Sequence, residues 1–100
     1  MGVCDALLDN KEEVKVNINT FLNSLGPANE ELQLDKLKTY LLDQECISQV
    51  AISDTYLRTS PPIRQLFITT SDKLQDEITL NISVGKSKLQ VENIIRNQGL

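Results

Sequence analysis

The sequence predicts an α+β domain of order ααββββ, with an N-terminal helical hairpin packed on one face of an antiparallel sheet of about four strands. Three observations predict it. Apolar residues recur with a helical period as far as Gln44, they alternate with period two from Cys46 onward, and Gly85-Lys86 separates two runs whose apolar positions match. The 100 residues fit one domain, with residues 5–10 and 96–100 expected as loose ends. A folded chain of this mass buries about 65% of the surface its unfolded form exposes, enough for one core.

In the first helix, spanning residues 10–25, Val14, Ile18, Phe21, Leu22 and Leu25 fall on one face. A strand through Val14, Val16 and Ile18 would lose its alternation at adjacent Phe21 and Leu22. Asn10 with Glu13 makes a start resembling a capping box, and Gly26-Pro27 supplies a left-handed stop followed by a residue that cannot continue the helix. The second helix follows Asn29, with Glu30 and Glu31 in the first turn, where their charges suit the amide-rich end. Leu34, Leu37 and Leu41 form its buried stripe, Tyr40 stands at the border, and Asp35, Lys38 and Thr39 face outward. So short a link places the helices side by side.

The first strand carries Cys46, Ser48, Val50 and Ile52 on one side and Ile47, Gln49 and Ala51 on the other. Residues 54–59 are polar and fit no single element. Ser60-Pro61-Pro62 enforces an extended stretch, because each proline fixes its own φ and restricts the residue before it. Residues 63–70 form the second strand, and their Leu66-Phe67-Ile68 run suggests a place inside the sheet. A charged connection over residues 71–77 has room for one helical turn. Ile78, Leu80, Ile82 and Val84 alternate with Thr79, Asn81 and Ser83, the clearest strand in the chain. A two-residue Gly85-Lys86 turn of type II′ would set Ile82 opposite Leu89 and Leu80 opposite Val91, and a four-residue turn would keep the same facing. Residues 93–100 read as a loose tail in which Ile94 and Ile95 are candidates to dock.

Composition limits the chemistry. With no histidine, the chain lacks the commonest general base and metal ligand, and its two cysteines do not by themselves make a zinc site. A net charge of -4 and a pI near 4.7 argue against a nucleic-acid footprint. Residues 1–50 hold nine acids and four bases, whereas residues 51–100 hold five acids and six bases, so the helical layer is acidic and the sheet nearly neutral. No apolar run spans a membrane, and no basic, apolar leader is present. A cytoplasmic address is open, and so is export with a leader or lipid-anchor segment removed ahead of Met1-Gly2. Gly2 as a myristoylation site is weakened by Ala6, which stands where Ser or Thr is wanted.

Cys4 and Cys46 are a candidate disulfide, which would close a loop of about 40 residues and add about 3 to 4 kcal/mol. Two free thiols, with Cys46 buried at a strand start, are the alternative. As a nucleophile Cys46 lacks a histidine to activate it. Gly85-Lys86-Ser87 resembles the end of a phosphate loop, but the first glycine position of that motif is Leu80, inside a strand. The pairs Glu12-Glu13, Glu30-Glu31 and Asp76-Glu77 match no calcium-loop spacing, and two of the three complement helix starts. Asn81-Ile82-Ser83 fits a glycosylation sequon too short to be specific, and Ser60-Pro61-Pro62 lacks the spacing of a polyproline ligand.

What remains is the solvent side of the sheet, where Thr79, Asn81 and Ser83 should neighbour Lys88, Gln90 and Glu92. That flat, neutral, hydrogen-bonding surface is the candidate interaction face, although an ordinary wetted face looks the same. With 4% aromatic residues and no tryptophan, a stacking platform for sugars or bases is missing. The expectation is a small non-enzymatic domain that binds a protein partner, with no cofactor, no metal and no nucleic acid. The alternative is a small-ligand carrier with a pocket between helices and sheet.

Overall fold

The structure is a computed structural model and describes residues 10–26, 29–70, 77–85 and 88–97. Two helices precede four strands: α1 (Lys11–Ser24), α2 (Glu30–Leu42), β1 (Ile47–Leu57), β2 (Ile63–Thr70), β3 (Glu77–Gly85) and β4 (Lys88–Asn97). The sheet is an antiparallel meander of order β1-β2-β3-β4, with both helices on one face, as the alternating and helical periods predict.

Asparagine side chains start both helices. Asn10 Oδ1 accepts from the Glu13 amide at 3.2 Å and Asn29 Oδ1 from the Leu32 amide at 2.8 Å, each satisfying a donor the helix cannot pair internally. Asn10, expected in a loose end, is therefore fixed as a cap; residues 5–9 lie outside the described residues. Beyond α1, Gly26 takes a φ of +72°, a conformation that carries no steric cost without a Cβ. The buried Gln33 donates from Nε2 to the Gly26 carbonyl at 3.2 Å, tying α2 to the end of α1. Phe21 and Tyr40 stack between the helices with centroids 4.3 Å apart.

Val14, Ile18 and Leu22 of α1 and Leu34, Leu37 and Leu41 of α2 face Leu66 and Ile68 of β2, Ile78, Leu80 and Ile82 of β3 and Val91 of β4 in one core. α1 packs chiefly over β4 and α2 over β1. On β4 the backbone of Val91 is held by a side chain: its amide donates to Asn19 Oδ1 at 2.7 Å, and its carbonyl accepts from Asn19 Nδ2 at 3.5 Å. A primary amide has the donor and acceptor of a strand residue, so Asn19 occupies part of an edge that would otherwise offer unpaired groups.

Three sequence expectations are corrected. First, residues 54–57, too polar to assign, continue β1 past an irregularity between Ile52 and Tyr56, after which Tyr56 pairs with Arg64 and Leu57 with Ile63. Second, Gly85 pairs with Lys88 and is the last residue of β3 rather than a turn residue, while Lys86 and Ser87 lie outside the described residues. Ile82 then faces Val91 rather than Leu89, and Leu80 faces Ile94 rather than Val91. The partner of Ile82 moves by two residues and that of Leu80 by three, the odd residue being taken up by a bulge, so the inward side chains still face one another. Third, residues 93–97 are strand, not tail. Asn81 pairs with Asn93 while neighbouring Ile82 pairs with Val91, which leaves Glu92 as the extra residue of a bulge. The bulge reverses the alternation, sending Ile94 into the core and Ile95 to the outer face. Residues 98–100, and the connection at 71–76 where a helical turn was allowed, lie outside the described residues. The extended lead through Ser60-Pro61-Pro62 contains a cis peptide between Ser60 and Pro61.

Candidate functional site

Register across the outer face aligns side chains into rows. Ala51, Phe67, Thr79 and Ile95 form one row through all four strands, and Gln65, Asn81 and Asn93 form the next. In the first row Phe67 is 44% exposed and Ile95 41%, while Thr79 between them is only 5% exposed. In the second, Gln65 Nε2 donates to Asn81 Oδ1 at 3.0 Å, which orients both amides. The face is therefore amphipathic, with an apolar row beside an amide row.

Of the predicted face residues, Asn81, Lys88, Gln90 and Glu92 reach solvent, whereas Thr79 and Ser83 are buried by their neighbours. Ser83 does face Gln90, and its Oγ donates to the Gln90 carbonyl at 3.2 Å. The other expected pairings change with the register. Thr79 faces Ile95, Asn81 faces Asn93, Lys88 faces Gly85, and Glu92 sits in the bulge. Sequence reading missed Phe67 and Ile95. The Leu66-Phe67-Ile68 run pointed to a place inside the sheet, which β2 has, and period two alone puts Phe67 on the face opposite its neighbours, which was the available signal. No local signal marks the bulge that turns Ile95 outward.

A second feature occupies the helix side near the end of β1. Arg64, on β2 at the parity of Leu66 and Ile68, is 7% exposed. Its Nη1 donates to Glu30 Oε2 at 2.6 Å and Glu31 Oε1 at 2.8 Å, and its Nε to the Ser53 carbonyl at 2.6 Å. The Tyr56 hydroxyl donates to the same Glu30 oxygen, and the Arg64 guanidinium lies 5.2 Å from the Tyr56 ring centroid. The bond to Glu31, followed by that to Glu30, holds the Arg64 proton more firmly than usual despite burial. The bond Tyr56 donates to Glu30 is the main reason its hydroxyl titrates above the ordinary tyrosine range. The sequence signal was a charge at an inward position of an apolar strand, opposite acids that helix-end electrostatics had already explained.

Beside this network an open cleft of about 450 Å³ is lined by Glu30, Tyr56, Leu57, Arg58, Thr59, Pro62 and Val84. Cys46, buried just ahead of β1, is disulfide-bonded, and Cys4 lies outside the described residues. Among the described residues no group of three or more His, Cys, Asp or Glu side chains is placed to hold a metal, and no helix is long and apolar enough to cross a membrane.

These features define a class: a two-layer α+β domain with one sheet face under helices and the other open. Compared with known proteins, the chain matches no family profile, no curated sequence and no solved structure.

Proposed function

We propose that this is a non-enzymatic interaction domain that binds a partner protein through the outer face of its sheet. The carrying observation is the exposure of Phe67 on the inner strand β2 and Ile95 on the edge strand β4, on either side of Thr79. The wet face of an antiparallel sheet ordinarily alternates to polar side chains, so two large apolar groups in one row are a departure. Covering them yields about 25 cal/mol for each Å² of apolar surface removed from water. The amides of Gln65, Asn81 and Asn93 supply hydrogen bonds beside that row, the arrangement of an apolar centre with a polar margin.

A photoreactive benzoylphenylalanine at position 67 tests this reading in lysate of the source cells, with Lys38 on the helical side as the control position. A discrete adduct at position 67 that disappears with Ile95→Lys is the expected result. Equal labelling from position 38, or adducts indifferent to Ile95→Lys, contradicts it. The carrier reading has less support, because Leu34, Leu37, Leu41, Leu66 and Leu80 fill the space between the described parts of the layers without exposure to solvent.

A further inference from the structure

The cleft at the end of β1 takes in Glu30 of α2 and Val84 of β3 and shares no lining residue with the row of Ala51, Phe67, Thr79 and Ile95. Its lining includes the apolar Tyr56, Leu57, Pro62 and Val84, and both Tyr56 and Leu57 are exposed residues. Those walls are held in place. Tyr56 is fixed by Glu30, the Thr59 amide donates to the Leu57 carbonyl at 2.9 Å, Thr59 Oγ1 to the Pro62-adjacent Pro61 carbonyl at 2.8 Å, and the Val84 amide to the Pro62 carbonyl at 2.9 Å. A site already ordered when empty loses little entropy on filling.

Charge selects the occupant. Glu30, the carboxylate in the lining, is engaged by Arg64 and Tyr56, whereas Arg58 at the cleft has no ion pair among the described residues. A guanidinium beside an apolar surface complements a carboxylate joined to an aliphatic group, since its fork of N–H donors matches the two carboxylate oxygens. The volume falls in the range of small-molecule sites, but the cleft is open on one side. A free apolar ligand would keep much of its surface in water there, while the end of a longer chain would not need enclosure.

We propose that the cleft lined by Tyr56, Leu57, Pro62 and Val84 binds the carboxyl-terminal residue of a partner polypeptide ending in an aliphatic side chain, with Arg58 pairing its carboxylate. The probe is acetyl-glycyl-valyl-leucine, titrated into the ¹⁵N-labelled full chain and followed by amide chemical shifts. Shifts should cluster at Tyr56, Leu57, Thr59 and Val84. Amidating the peptide, or the surface substitution Arg58→Gln, should each weaken binding about tenfold, as expected for loss of a charge-assisted pair. Leu57→Asp should remove it without touching Arg58. Equal affinity for acid and amide, no response to Arg58→Gln, or shifts confined to Phe67, Thr79 and Ile95 would overturn the assignment. So would 4-methylpentanoate binding as tightly as the peptide, because the site would then serve a free acid.

Discussion

Leu80 and Thr79 are neighbours in β3 and are both shielded from water, but for different reasons. Leu80 lies beneath two helices in a core of aliphatic side chains. Thr79 lies on the other face, where Phe67 and Ile95, on the flanking strands, crowd it from either side and remain exposed themselves. Burial by a second layer stabilises the fold of the isolated chain. Burial within a row leaves the flanking apolar side chains partly exposed. The difference separates the part of the sheet that holds the fold together from the part to which the proposed binding is assigned.

The largest expected effect is on the covered side. Leu80→Ala should destabilise by about 2 to 5 kcal/mol through lost burial and a residual cavity, measured by urea unfolding. A loss below about 1 kcal/mol would mean that the layer is loosely packed. Arg64→Met, at the rim of the same layer, should cost about 2 kcal/mol, less than for a fully enclosed pair because both carboxylates reach water. The same unfolding curves check it. Asn19→Ala should cost about 1 kcal/mol by leaving the Val91 backbone without its amide partner, and amide exchange at Val91 should accelerate. On the open side Phe67→Ser should cost about 1 kcal/mol, well below Leu80→Ala, because the residue is 44% exposed and only its covered remainder contributes.

The smallest effect concerns pH. Because the Tyr56 hydroxyl titrates above its unfolded value, its bond to Glu30 contributes fully below about pH 10, the ordinary tyrosine value. That contribution is lost as pH rises through the raised folded value. The stability difference between the wild type and Tyr56→Phe should therefore be constant from neutral pH to about pH 10 and shrink above it. A gap that widens in alkali would show that the hydroxyl is not donating to Glu30.

The covered side was legible in the sequence because periodicity records it directly. Val14, Ile18 and Leu22, then Leu34, Leu37 and Leu41, then Ile78, Leu80 and Ile82 each repeat at the spacing of the element they occupy, and each stripe is buried. Both asparagine caps were legible for the same local reason. The open side was half legible. Thr79, Asn81 and Ser83 were correctly set opposite the aliphatic positions of β3, but their partners depended on a turn position and a bulge that pattern alone does not fix. Glu92 carries no bulge signature of its own; its role follows from the simultaneous pairing of Ile82 with Val91 and Asn81 with Asn93. Arg64 was hidden differently. Its bonds to Glu30 and Glu31 join residues more than 30 positions apart, beyond the reach of any local rule.

The most direct measurement is the unfolding free energy of the double variant Phe67→Ser with Ile95→Ser. If those side chains await a visitor rather than brace the chain, the double variant should lose clearly less stability than Leu80→Ala, because both residues are more than 40% exposed. A drop comparable to that of Leu80→Ala would contradict this, making the exposed row a second structural core and leaving the sheet without a vacant side.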